Sequence, residues 1–297
     1  MGVLLAKCCQ LTGDTVLLNS LIRYTDFVRN KLQDPDYVTY SNVTRNSYPR
    51  AYNYPWIAEL QLRMYLLTGQ TSYAYDGYRT LRTMFNKFGH GFYAIGIPVT
   101  LSMQVLEKAG LTQERDSLWN DYAAQAAQLI KNGTNYPKHE VNYEQSIVAP
   151  AVQFLSECYL VSHDTACLNE ARRQMPILEA FCGRQPSCYL NGIAIRHWDG
   201  YWFGKSEHYG DTFPHYWSTL NASAYYYYAL ASGNSAKTEE ARQIVRNNLL
   251  LFAEDGKGYC AFLYPRLING QRARGYDALA NDQDWALVYY LLVNKNI

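Results

Sequence analysis

The feature that most limits what this chain can become is a mark of punctuation that recurs five times. An apolar run ends on a small or hydroxylated residue, a residue suited to a tight turn follows, and a second, amphipathic run starts almost at once. The marks stand at Thr12-Gly13, Thr68-Gly69, Ala109-Gly110, Ser162-His163 and Ser232-Gly233. Glycine just past the last helical residue accepts a left-handed backbone and stops the helix. The polar residues that follow, Asp14, Thr71, Thr112, Asp164 and Ser235, are suited to cap the next one. The sequence therefore predicts helical hairpins at uneven spacing, which excludes a tight solenoid of identical repeats.

The two members of each hairpin differ in character. Pro55 to Leu67, Pro98 to Lys108, Ser146 to Leu160 and His215 to Ala231 are apolar nearly all round. Their partners, Leu17 to Leu32, Tyr75 to Phe88, Arg115 to Lys131, Cys167 to Phe181 and Lys237 to Phe252, each carry one polar face. A helix apolar on every side belongs inside and an amphipathic one outside. Tyr225 to Tyr228 make the point, because four consecutive rings surround one helix. The expected fold is mainly α: a single domain over residues 1–297, an α/α toroid of hairpins with an inner and an outer layer. A final inner-type helix, Trp285 to Val293, has no partner after it, so the toroid is either incomplete or a six-hairpin barrel closed by the first helix. Two stretches break the helical pattern. Alternation through Ile193, Ile195 and His197 meets Asp199-Gly200, and Cys260 to Ile268 meets Asn269-Gly270; both predict β-hairpin insertions.

Composition narrows the function. Lys and Arg number 27 against 26 Asp and Glu, a net charge of +1, which excludes the broad basic surface that nucleic acid requires. No apolar run is long enough to span a bilayer. The 28 Tyr, 10 Phe and 6 Trp exceed the needs of a core, and flat faces edged with hydroxyls suit sugar rings. Seven Cys without a C-x-x-C pair argue against zinc. No dinucleotide, phosphate-loop, metalloprotease or nucleophile-elbow motif occurs, so neither metal nor cofactor is expected. Cys158 with Cys167, and Cys182 with Cys188, are spaced either for disulfides, as suits a secreted or periplasmic protein, or as buried free thiols. Met1 to Leu11 is too short for a secretory signal and reads as the tail of a helix that begins upstream. The chain is thus expected to be part of a longer protein, with any signal upstream.

Polar and aromatic residues gather at the start of each inner helix: Tyr52 to Trp56 behind Arg50, His90 to Tyr93, Lys138 to Gln145, Glu207 to Asp211 with His215 to Trp217, and Asn281 to Trp285. In a toroid the inner helices run the same way, so these segments would meet at one mouth. The candidate substrate-binding residues are Arg50, Tyr54, Trp56, His90, Asn142, Glu144, Trp198, Lys205, Asp211, His215, Trp217 and Asp282. Two reactions fit such a mouth. Glycoside hydrolysis needs two carboxylates across the bond; Glu144, Glu207, Asp211 and Asp282 are available, but no pair stands out. Elimination beside a uronic acid needs a cation or amide on the substrate carboxylate, a base for the carbon-bound proton, and an acid for the departing oxygen. His139 with Tyr143 and His208 with Tyr209 are the candidate catalytic pairs, and Arg196 is the candidate for the carboxylate. The wealth of His and Tyr favours elimination. A glycan-binding toroid without chemistry is the remaining reading.

The toroid with Asn, His, Tyr and Arg at its mouth resembles the α/α-toroid polysaccharide lyases of the heparinase and alginate-lyase type. The stretch from Arg196 to Trp217, Arg-His-Trp-Asp-Gly-Tyr-Trp-Phe-Gly-Lys-Ser-Glu-His-Tyr-Gly-Asp-Thr-Phe-Pro-His-Tyr-Trp, resembles more narrowly the rhamnose–glucuronate lyases that uncap arabinogalactan. The resemblance implies cleavage by β-elimination beside a glucuronate and an acidic oligo- or polysaccharide as substrate. It leaves open which of His139, Tyr143, His208 and Tyr209 is the base.

Overall fold

The computed structural model describes residues 1–44, 49–137, 145–182, 196–198, 210–259, 261–264, 267–268, 271–272, 276–277 and 284–297. Their helices stand where the punctuation puts them: α1 (Gly2–Thr12) and α2 (Thr15–Phe27), α3 (Asn53–Thr68) and α4 (Thr71–Phe88), α5 (Val99–Lys108) and α6 (Thr112–Asn132), α7 (Gln145–Ser162) and α8 (Thr165–Glu179), α9 (Ser218–Ser232) and α10 (Ser235–Asn248), then α11 (Trp285–Lys295). The chain divides into two compact units, Met1–His139 with Phe154–Glu170, and Glu140–Gln153 with Ala171–Ile297.

The turns do more than a glycine stop requires. Gly13, Gly69 and Gly233 take φ of 68°, 73° and 73° as expected, and His163 takes the same left-handed backbone at 58°. The hydroxylated residue before each of them works in both directions. Thr12, Thr68, Ser162 and Ser232 donate back to the carbonyls of Cys8, Met64, Cys158 and Tyr228 at 2.6–2.9 Å. The same oxygens accept the backbone N–H two residues on, from Asp14, Gln70, Asp164 and Asn234, at 3.1–3.3 Å. One side chain thus closes the old helix and holds the entry of the new one. Ala109-Gly110 lacks a hydroxyl and instead bonds Leu111 N–H to the Leu106 carbonyl at 2.9 Å, the backbone solution to the same problem.

This division of labour corrects the expected caps. Asp14 accepts the N–H groups of Val16 and Leu17, and Asp164 that of Ala166. Thr71, Thr112 and Ser235 are instead the first helical residues, after Gln70, Leu111 and Asn234: the bridging hydroxyl puts the residue two beyond it at the cap, as at Asp14 and Asp164, and the Leu111–Leu106 backbone bond does so at the third hairpin.

The inner character of α9 is as read from its sequence. Every residue from Ser218 to Tyr226 is buried, and so is Tyr228. In the first unit, a buried network links the segment after α2 to α3 and α4. The Gln33 amide donates to Thr39 and Thr80, Gln61 donates to Gln33, and Thr80 donates to Gln61, all at 2.7–3.0 Å.

The strands are β1 (Arg196–Trp198), β2 (Gly210–His215), β3 (Ala261–Tyr264), β4 (Leu267–Ile268), β5 (Gln271–Arg272) and β6 (Tyr276–Asp277). Four form an antiparallel sheet in the order β1-β2-β3-β6, and β4 pairs with β5 across positions 269 and 270. His197 stands opposite Asp211, and β2 pairs on its other edge with β3. Residues 199–203, where the sequence predicts a tight hairpin, lie outside the described residues. The five thiols at Cys8, Cys9, Cys158, Cys167 and Cys182 are free, so of the two readings of Cys158 and Cys167 the structure has buried free thiols. Burial pushes Cys158 well above the usual thiol range and Cys167 up to about 11. Cys188 lies outside the described residues.

Two predictions follow from these contacts. Thr68→Val keeps the shape and removes both hydroxyl bonds, and should cost about 1 kcal/mol in urea unfolding. Lys7 on α1 is 1% exposed, beside Arg63 and Glu59 of α3. Burial first, then Arg63, bring its pKa down to about 7, with Glu59 opposing. The folded state sheds this proton near pH 7, while the unfolded chain keeps it to about 10.5. Unfolding free energy should therefore rise with pH between those values, by up to about 1.4 kcal/mol per pH unit. Lys7→Met should flatten that slope in pH-dependent denaturation curves.

Candidate functional site

Within the first unit, the start of α3 meets the connection from α4 to α5. The Arg50 guanidinium lies 5.6 Å from the centre of the Tyr52 ring, and Tyr52 meets Phe92 edge-on at 5.0 Å. Phe92 in turn contacts Phe88, and Phe88 contacts Tyr54. Tyr52, Trp56 and Phe92 are half-buried. Tyr54, the expected sugar contact, is fully buried, and its oxygen accepts the Thr39 N–H at 3.1 Å. It belongs to the core: in the first turn of a helix, residues two apart face different ways, and the half-exposed position falls on Tyr52. The sequence offered both rings with no means of choosing between them.

His90 is committed on one edge. Its Nε2 stands 3.1 Å from Asp121 Oδ1, the other carboxylate oxygen of Asp121 binds Arg82, and the ring stacks on Phe85 at 5.4 Å. Asp121 on α6 thus ties the end of α4 and the residue beyond it to the neighbouring hairpin. Neither Asp121 nor Arg82 was a sequence candidate, since each reads as an ordinary charge on an outer helix.

Within the second unit, the starts of α9 and α11 meet. His215 is fully buried and stacks on Tyr216 at 4.6 Å. Its Nδ1 accepts the Trp217 backbone N–H at 2.9 Å, which leaves the proton of the neutral ring on Nε2. Trp217 stacks on Trp285 with planes 14° apart, and Tyr216 meets Trp285 edge-on at 5.5 Å. Rings read as sugar platforms therefore spend part of their surface on one another, fixing two helix starts as one piece. Gln145, the first residue of α7, is fully buried; it closed the polar segment in the sequence but carried no signal of its own.

Of the remaining candidates, Arg196 and Trp198 lie on β1 and Asp211 on β2, with Arg196 opposite Thr212 and Asp211 opposite both His197 and Tyr264. His139, Asn142, Tyr143, Glu144, Lys205, Glu207, His208, Tyr209 and Asp282 lie outside the described residues. Among the described residues no group of three or more His, Cys, Asp or Glu is placed to hold a metal, and no helix is long and apolar enough to cross a membrane.

Tyrosine is the residue whose proton affinity most bears on elimination. Tyr37, Tyr54, Tyr73, Tyr93, Tyr122, Tyr225 and Tyr226 are all shifted upward, in every case chiefly by burial, Tyr54 to about 12. A phenol raised in this way holds its proton at neutral pH. These seven are packing residues.

No protein-family model matches the chain, and no curated protein does. Among solved structures it is similar to a polysaccharide lyase, with 58% identity and a TM-score of 0.95 over 100% of this chain and 44% of that one. The chain therefore spans less than half of that protein. It is also similar to a sugar epimerase from a ruminal bacterium, at 11% identity and TM-score 0.62, over 100% of this chain and 86% of that one. A third similar structure is an unsaturated glucuronyl hydrolase from Bacillus sp. GL1, at 15% identity and TM-score 0.54, over 91% of this chain and 71% of that one. The last two likenesses concern fold alone, and the fold class is the α/α toroid.

The clamp on His90 carries its own prediction. Asp121→Ala removes the carboxylate that Arg82 and His90 share and should cost about 1–3 kcal/mol in urea unfolding, whereas His90→Ala, which leaves the Arg82 pair intact, should cost less.

Proposed function

We propose that this chain is the helical part of a polysaccharide lyase that cleaves beside a uronic acid by β-elimination. The observation that carries the proposal is the 58% identity, at a TM-score of 0.95 over the whole chain, with a polysaccharide lyase. The finer reading is a glucuronate, capped by rhamnose as in arabinogalactan, cleaved outside the cytoplasm by a secreted or periplasmic protein. The stretch from Arg196 to Trp217 supports it.

The chemistry follows from what elimination needs. Pairing the uronate carboxylate with Arg196 withdraws charge and acidifies the proton on the adjacent ring carbon. A base removes that proton, the ring C–O bond to the departing sugar breaks, and an acid returns a proton to the leaving oxygen. Tyrosine suits the basic role only where a positive charge lowers its pKa, which the seven buried phenols do not meet. That supports His139, Tyr143, His208 and Tyr209 as the acid–base set. A near-neutral chain is no obstacle, since one uronate asks for one local cation rather than a basic surface.

The test is incubation with glucuronate-capped glycans, with neutral glycans as controls. The expected product is an unsaturated uronate that absorbs in the ultraviolet, formed only from the acidic substrates. A new reducing end without that absorbance would establish hydrolysis instead, and affinity without turnover would establish a binding protein. His139→Ala and His208→Ala should separate the pairs: loss of the true acid or base lowers kcat by about 10²- to 10⁴-fold with the melting temperature unchanged.

A further inference from the structure

Among the described residues, buried side-chain amides as a rule keep at least one end bonded. Gln33 and Gln61 are each 1% exposed and share a closed network with Thr39 and Thr80. Gln153 accepts the Ser223 hydroxyl at 2.9 Å, and Asn221 donates to the Leu178 carbonyl and to Cys182 Sγ. Gln145 breaks the rule. It is 0% exposed, and both its Nε2 and its Oε1 are without a hydrogen-bond partner among the described residues. It is also the first residue of the 18-residue helix α7 and follows directly on the segment that holds His139, Asn142 and Tyr143. Asn221 and Asn248 each leave only Oδ1 open while Nδ2 is bonded; a buried amide open at both ends is the mark of a position reserved for something else to bond.

What that something is follows from the two open ends. Nε2 offers donors and Oε1 needs one. A carboxylate only accepts, so it would pair with Nε2 and leave Oε1 bare. Two hydroxyls on adjacent ring carbons present a donor and an acceptor side by side, which is the complement of a primary amide. On a uronic acid whose C1 and C4 oxygens are both in glycosidic bonds, the free adjacent pair is at C2 and C3. We infer that Gln145 binds the C2–C3 diol of the uronate at the cleaved bond and selects for it, while the carboxylate is left to a cation. This rests on the lyase reading above. It assigns to the first turn of α7 a specificity role that neither base nor acid supplies.

The inference is tested with the full chain, a disaccharide bearing a sugar on O4 of a glucuronate methyl glycoside, and its C3-deoxy counterpart. Gln145→Leu should lower kcat/KM on the parent by on the order of 10²-fold. The wild type should lose activity on the deoxy compound, whereas the variant should discriminate little between the two, so that the two losses do not add. The melting temperature of the ligand-free variant should be unchanged or higher, because an unsatisfied amide has been replaced by an apolar side chain of similar size. A glutamine that only supports the fold would give the opposite: a lower melting temperature with wild-type discrimination. Equal kcat/KM for variant and wild type on both compounds also overturns the inference. If neither protein turns over either compound, the lyase reading has failed. Calorimetric titration of the same two compounds into wild type and Gln145→Leu then decides the diol question alone, with equal dissociation constants counting against it.

Discussion

The structure depends first on a hydroxyl group placed at the end of a helix. Thr12, Thr68, Ser162 and Ser232 each donate to the carbonyl one turn back and accept the N–H two residues ahead. With the next residue in a left-handed conformation, a helix is stopped and its successor started within two or three residues. So short a connection leaves the second helix little choice but to run back along the first. Everything else in the fold, from the apolar inner helices to their amphipathic partners, presumes that these pairs are already set.

Once hairpins are fixed, burial decides the roles of the aromatic residues. Most of α9 is buried, so Tyr225, Tyr226 and Tyr228 are packed, and burial holds the protons of Tyr225 and Tyr226 more tightly. The shift is upward for Tyr225 and Tyr226 on α9, for Tyr122 on α6 and for Tyr54 on α3. A large share of what looked like an excess of sugar-binding rings is therefore interior. What is left for a ligand is the half-buried rings at helix starts, such as Tyr52 and Trp285, and even Trp285 lends one face to Trp217.

How much of this was legible in the sequence depended on range. Helix existence and pairing were legible because the stop signal is local: Gly69 needs only its own φ, and Thr68 only its neighbours. Asp14 and Asp164 cap as their sequence suggests, whereas Thr71, Thr112 and Ser235 fall one residue inside the helix, because the bonds that close each turn act across it and leave no mark in residue type. The pairing of β1 with β2, more than ten residues on, has no local signal, because sheet membership is not a local property. The site suffered most. Tyr52 and Tyr54 have the same residue type at the same helix start, and only the Thr39 N–H approaching from an earlier segment gives one of them to the core. Gln145 was invisible because an unsatisfied amide is defined by what fails to surround it.

The near-zero net charge gains meaning from where the charges are spent. On the helices, cations are matched to carboxylates close by: Arg63 to Glu59, Arg82 to Asp121, Arg115 to Asp116, and Lys237 to both Glu179 and Glu240. Pairs of this kind neutralise charge within the helical frame where it stands. A cation meant for a single uronate must then come from outside the hairpins, in a segment whose length and sequence the helical frame does not dictate. Arg196 on β1 and Lys205 beyond it satisfy that condition, and so does Arg50, which precedes α3 and lies over the Tyr52 ring. The fold's neutrality is compatible with the acidic substrate proposed above, because the helices carry the first and the connections offer cations for the second.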